Sequence, residues 1–95
     1  MNEEELQGSP DFRHSPDFRS VTLKGNYYTL TSLEAQVVQI LYEQYLNGTP
    51  DVGKDYILEE LGAKSKNMRD VFQSCKGWQN LIKKGERKGT YRLNI

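Results

Sequence analysis

The chain has 95 residues, 36% of them apolar and 27% charged, with a mean hydropathy of −0.78, which is enough for one modest core and too little for two. No apolar run approaches the ~20 residues of a membrane-spanning helix, and the lone Cys75 excludes an intrachain disulfide. The net charge of zero conceals an asymmetry: residues 1–60 hold eleven acids and four bases, residues 61–95 nine bases and two acids.

Residues 1–20 read as a flexible tail. They contain Glu3-Glu4-Glu5, Gly8, Pro10 and Pro16, a composition that favours disorder. The acidic stretch Met1–Leu6 has neither the basic start nor the apolar run of a secretory signal, so a cytoplasmic location is expected. The tail also carries a duplication, Ser9-Pro10-Asp11-Phe12-Arg13 and Ser15-Pro16-Asp17-Phe18-Arg19. Two copies of five residues are too short for a repeat architecture. Either the second copy leads into the first strand and the first is incidental, or Phe12 and Phe18 anchor a protein partner.

A folded domain is expected over 21–95. Val21 and Leu23 alternate with polar neighbours, Lys24-Gly25-Asn26 is turn chemistry, and Tyr27, Tyr28 and Leu30 follow, which predicts an N-terminal β-hairpin. Thr31-Ser32-Leu33-Glu34 is a capping box opening a helix to about Leu46. Its inner face is expected to hold Leu33, Val37, Ile40, Leu41 and Tyr45. Val38, Tyr42 and Leu46 exceed what one face needs, which raises a homodimer through helix 33–46. Asn47-Gly48 and Pro50 end this helix.

A second helix is expected over 53–61, closed by Gly62. Ser65 is a suitable cap for a third helix over 65–75. Met68, Val71, Phe72 and Cys75 fall at i, i+3, i+4 and i+7, the spacing of a buried stripe. Trp78, Leu81 and Ile82 suggest a strand, with Trp78 a core anchor. A glycine-rich charged turn covers 83–89, and Tyr91, Leu93 and Ile95 alternate in a returning strand. The fold class expected is α+β: a three-helix core between an N-terminal β-hairpin and a C-terminal β-hairpin wing.

Two helices joined by a short glycine-containing turn make a helix-turn-helix unit, and the following hairpin makes it winged. On these residues the chain resembles the winged helix-turn-helix family. Val21-Thr22-Leu23 with Gly25, then Tyr28-Thr29-Leu30-Thr31 with Glu34, resemble the start of the effector domain of bacterial response regulators. The chain is also similar to small winged-helix proteins of bacterial mobile elements. One hairpin is expected ahead of the first helix, where the response-regulator family has four strands. The resemblance implies double-stranded DNA binding in transcriptional regulation or a related transaction, with helix 65–75 in the major groove and wing 82–92 on the backbone.

The residues fit that expectation. Opposite the buried stripe of the third helix lie Lys66, Arg69, Asp70 and Gln73, with Asn67 and Lys76 flanking them. Arg69, Asn67 and Gln73 have side chains suited to bidentate base contacts. Lys64, Lys66 and Lys76 suit phosphates, as do Lys83, Lys84, Arg87, Lys88 and Arg92 of the wing. Asp70 would repel phosphate unless paired with Lys66 one turn earlier. The competing reading is a protein-interaction adaptor that keeps the scaffold without binding DNA, which the acidic first sixty residues would suit.

An enzyme is not expected. His14 is the lone histidine, Cys75 falls on the buried stripe, and one Cys with one His cannot build a structural zinc site. No phosphate-cradling glycine loop between strand and helix is present, so neither cofactor nor metal is expected.

Overall fold

A computed structural model describes residues 11–62 and 67–95, and the backbone of residues 7–8. These residues form a small α+β domain in which helices pack against two antiparallel sheets.

The first sheet contains β1 (Gln7–Gly8), β2 (Phe12–His14), β3 (Ser20–Leu23) and β4 (Asn26–Thr29), hydrogen-bonded in chain order. Strands β3 and β4 meet through a two-residue turn in which Lys24 (φ 49°) and Gly25 (φ 87°) are both left-handed. That turn matches the twist of paired strands, which fixes the register Val21 opposite Tyr28. Val21 and Leu23 consequently face the core together.

The expected flexible tail over 1–20 is corrected for 11–20. Phe12 and His14 point inward around an exposed Arg13, and β2 pairs with β3. Ser15-Pro16-Asp17 makes the connecting turn. The Ser15 hydroxyl donates to Asp17 Oδ1 at 2.7 Å, and the Ser20 amide donates to Ser15 Oγ at 3.1 Å. Apolar burial outweighs the disorder-prone composition: Phe12 is fully buried, and Phe18 packs with its ring stacked 3.7 Å from that of His14. Both phenylalanines of the duplication thus serve the core, which leaves neither available as an anchor for a partner while the fold is intact. The sheet ahead of the first helix accordingly has four strands, and the single expected hairpin is its second half.

Helix α1 (Ser32–Leu46) begins with the expected capping box. The Glu34 amide donates to Thr31 Oγ1, and Glu34 Oε1 accepts from the Thr31 amide at 2.8 Å. Its buried side chains are Glu34, Ala35, Val37, Val38, Leu41 and Tyr42. Leu33 and Tyr45, assigned to the inner face by spacing, are instead about two-fifths exposed, and Ile40 is half-buried. The first sheet rotates the buried arc: Tyr42 packs 4.8 Å from Phe12 and edge-on to His14. Of the surplus apolar residues, Val38 and Tyr42 are covered within the chain, whereas Leu46 is 64% exposed. The exposed side of α1 presents Ser32, Gln36, Gln39 and Glu43 together with Leu33, Tyr45 and Leu46.

After β5 (Val52–Gly53), α2 (Lys54–Leu61) buries Ile57 and ends at Gly62, whose left-handed φ of 62° closes the helix. The Ser65 cap, Lys64, and the Lys66–Asp70 pair fall on 63–66, outside the described residues.

The third helix is shorter than expected. Regular α-helix covers Met68–Val71 (α3) and gives way to looser turns over 72–76, where the Cys75 amide donates to Phe72 O. The run Val71-Phe72-Gln73-Ser74-Cys75 is rich in weak helix formers, which explains the early end. The stripe survives nonetheless, with Met68, Val71, Phe72 and Cys75 all buried. The expected strand at Trp78 is also corrected: Trp78–Leu81 is a one-turn helix (α4) entered through Gly77 at φ 77°. Trp78, Leu81 and Ile82 fall at i, i+3 and i+4, and a run this short fits a helical turn as well as a strand.

The chain ends in β6 (Ile82–Lys84) and β7 (Thr90–Leu93), which with β5 form a sheet ordered β5-β7-β6. Helix α1 packs on β7 as well as on the first sheet, so one core spans both. No described helix is long and apolar enough to cross a membrane.

The placement of Phe12 yields a prediction. Truncation of a buried aromatic leaves a cavity, so Phe12→Ala should lower unfolding stability by about 3–5 kcal/mol in a urea titration. A loss below ~0.5 kcal/mol would show residues 11–20 to be the tail their composition suggests.

Candidate functional site

Three adjoining clefts form one track across the C-terminal half of the chain. The largest, about 510 Å³, lies between α3, α4 and the β6–β7 hairpin and is lined by Asn67, Met68, Arg69, Trp78, Gln79, Ile82, Lys83, Lys84 and Tyr91. It shares Arg69, Trp78 and Gln79 with a second cleft that adds Gln73 and Lys76. It shares Lys84 and Tyr91 with a third that adds Lys54, Arg87 and Lys88. Eight of the residues singled out from the sequence are thus brought together: Asn67, Arg69, Gln73, Lys76, Lys83, Lys84, Arg87 and Lys88. All eight are exposed. Local folding puts them there: the stripe from Met68 to Cys75 turns Arg69 and Gln73 outward, and the β6–β7 pairing projects Lys83 and Lys84 beside them.

Two of the sequence candidates have other work. Asn67 caps α3, its Oδ1 accepting from the Asp70 amide at 3.0 Å. Its carbonyl oxygen is therefore committed. Arg92 is half-buried, and its Nε donates to Asp51 Oδ1 at 2.5 Å. It lines none of the three clefts and serves the hairpin from within.

Asp51 was not singled out from the sequence. Beyond Arg92 it accepts from the Glu86 amide at 3.1 Å, thirty-five residues on in the chain. Only the absence of a side chain at Gly85 lets its carboxylate sit there: a Cβ on Gly85 would fall 2.5 Å from Asp51 Oδ1 and closer still to Thr90 Oγ1. No short-range pattern could reveal this, because the partners are brought together only by β5–β7 pairing. The Arg92 hydrogen bond, then the Glu86 amide, hold the Asp51 carboxyl below the 3.8 of an ordinary aspartate. Lys54 was also missed as a member of the track, since it begins α2, an element with no other basic residue.

Most acids lie off this track, but Glu86 is exposed on the hairpin turn and lines the third cleft beside Lys84, Arg87 and Lys88. Glu43, Asp55, Glu59 and Glu60 are exposed on α1 and α2. Asp70 is exposed but lines none of the three clefts. Cys75 is buried, and that burial, with a smaller contribution from Glu34, pushes its thiol pKa up, the opposite of a nucleophile's need. Among the described residues no group of three His, Cys, Asp or Glu side chains is placed to hold a metal ion.

Two predictions concern the Asp51 cluster. Gly85→Ala should lower the thermal midpoint by several degrees, because Asp51 and Thr90 must both shift; an unchanged midpoint would mean the carboxylate is not seated as described. Asp51, with its pKa lowered in the fold, contributes stability that is fully present above 3.8 and lost as pH falls through the folded value. Stability measured from pH 5 to pH 2 should therefore fall less steeply in Asp51→Asn. Asp17, lowered by its Ser15 and Arg19 hydrogen bonds, should keep part of the slope in both proteins.

Compared with protein-family models, curated proteins and solved structures, the chain shows no match to any.

Proposed function

We propose that the chain is a winged helix-turn-helix domain that binds double-stranded DNA, in transcriptional regulation or a related DNA transaction. The observation that carries this reading is the continuous cationic track joining α3 to the β6–β7 hairpin, which acts as the wing. Arg69, Lys76, Lys83, Lys84, Arg87 and Lys88 line it together with Lys54. A row of neighbouring cations matches the repeating charge of a phosphate backbone, and it steers association even when the whole chain is neutral. The four strands ahead of α1 also agree in number with the response-regulator effector pattern, where the sequence suggested a single hairpin.

In this reading the residues divide the work between them. Arg69 and Gln73 are the side chains left to read base edges, because Asn67 has its carbonyl oxygen engaged in the cap. Arg92, paired with Asp51, is assigned to supporting the wing. The regular part of α3 is four residues, about 6 Å long. So short an element offers few base contacts, and most of the affinity comes from backbone phosphates, with modest sequence preference.

Fluorescence anisotropy of a labelled random-sequence duplex, titrated at several salt concentrations, tests this. Binding should weaken steeply with salt. Changing Lys83, Lys84, Arg87 and Lys88 together to alanine should flatten the log–log slope by up to about 3.6, at ~0.9 for each phosphate left without its cation. Absence of binding at low salt would transfer the role to the protein-adaptor reading.

A further inference from the structure

We propose that Asp51 is the positioning residue of the wing, so that removing this negative charge from the cationic face weakens nucleic-acid binding instead of strengthening it. The inference rests on the DNA-binding reading above.

Counting charges gives the opposite sign. Asp51 lies near Arg92 and Arg87, where its negative charge opposes an approaching phosphate. Its loss would also release Arg92 as an additional cation. Geometry argues against that outcome. The turn over 85–89 closes on Thr90: the Gly85 amide donates to Thr90 O at 2.9 Å, and the Thr90 amide and hydroxyl donate to Arg87 O at 3.2 and 2.6 Å. Its other ties run to the segment 51–54: the Glu86 amide donates to Asp51 Oδ2, and the Lys54 amide donates to Gly89 O at 2.8 Å. Arg92, on β7, is held to the same carboxylate through Oδ1. One side chain thus uses both oxygens to bind the near and far limbs of the hairpin to β5. Gly85 is open only to the extent that Asp51 fills the space. Asp51 is mostly shielded, its side chain 13% exposed, so it meets the track through the residues it holds and not directly. Without it, the turn keeps its bonds to Thr90 and its tie to Lys54 but loses the one at Glu86, next to Arg87 and Lys88, and part of their ordering must be supplied by the binding free energy.

The test compares wild type, Asp51→Asn, Arg92→Gln and the double variant, by anisotropy against one random-sequence duplex over a range of salt. Amide hydrogen exchange at Glu86 is measured on the free proteins. The expected result is binding about tenfold weaker in Asp51→Asn, the scale of losing one charge-assisted hydrogen bond. The salt slope should be shallower by about one to two phosphate contacts. Exchange at Glu86 should be faster while α1 amides keep their protection. The double variant should be no weaker than Asp51→Asn, because the two residues act as a unit. Arg92→Gln keeps the proposal testable if Asp51→Asn does not fold, and should show the same direction. Equal or tighter binding with an unchanged slope overturns the role of Asp51 and leaves the DNA reading standing. Failure of the wild-type protein to bind the duplex overturns both.

Discussion

The breadth of the buried arc on α1 is the constraint from which the rest follows. Ala35, Val37, Val38, Leu41 and Tyr42 are all inaccessible, and together they occupy about half the helix circumference. No single sheet or helix can cover so wide a face. The chain covers it from two sides, with a four-stranded sheet formed by the residues before α1 and a three-stranded sheet formed largely by those after α2. That requirement draws Phe12, His14 and Phe18 into the core and sets β7 against the other flank.

With α1 fixed between two sheets, the C-terminal hairpin has one place to go, and the cationic track follows from it. β5 pairs with β7, which brings Asp51 beneath the hairpin turn, and β6 emerges alongside α3 and α4. Glu43 of α1 and the acids of α2 are left exposed on other elements, Glu34 is buried in the cap of α1, and among the described residues Glu86 is the one acid lining the three clefts. This separation is how a chain of zero net charge can present one strongly basic face. In the proposed function two residues of base-reading or phosphate-binding type, Asn67 and Arg92, are ones the fold uses to hold the track in shape.

Local signals made much of this legible in the sequence. The capping box of Thr31 and Glu34, the Lys24-Gly25 turn, the Met68-to-Cys75 stripe and the basic hairpin each depend on residues a few positions apart. What escaped depended on distant partners or on short runs. Phe12, Arg13 and His14 alternate before a Ser-Pro-Asp turn, a strand signal that an acidic, proline-containing composition masked. Trp78 to Ile82 is too short for its period to distinguish a helical turn from a strand. The Asp51–Arg92 pair spans forty-one residues and is visible only once β5 and β7 are paired. The candidate site was therefore readable as a set of side chains, while the division between those that form its surface and those that brace it needed the fold.

Amide chemical-shift mapping with a short duplex at low salt addresses the proposed interface most directly. The account predicts perturbations that saturate with duplex concentration at Arg69, Gln73 and Lys76 and along Lys83 to Lys88, with α1 residues Gln36, Gln39 and Glu43 unaffected. Perturbations centred on α1, or none at any duplex concentration, would contradict it.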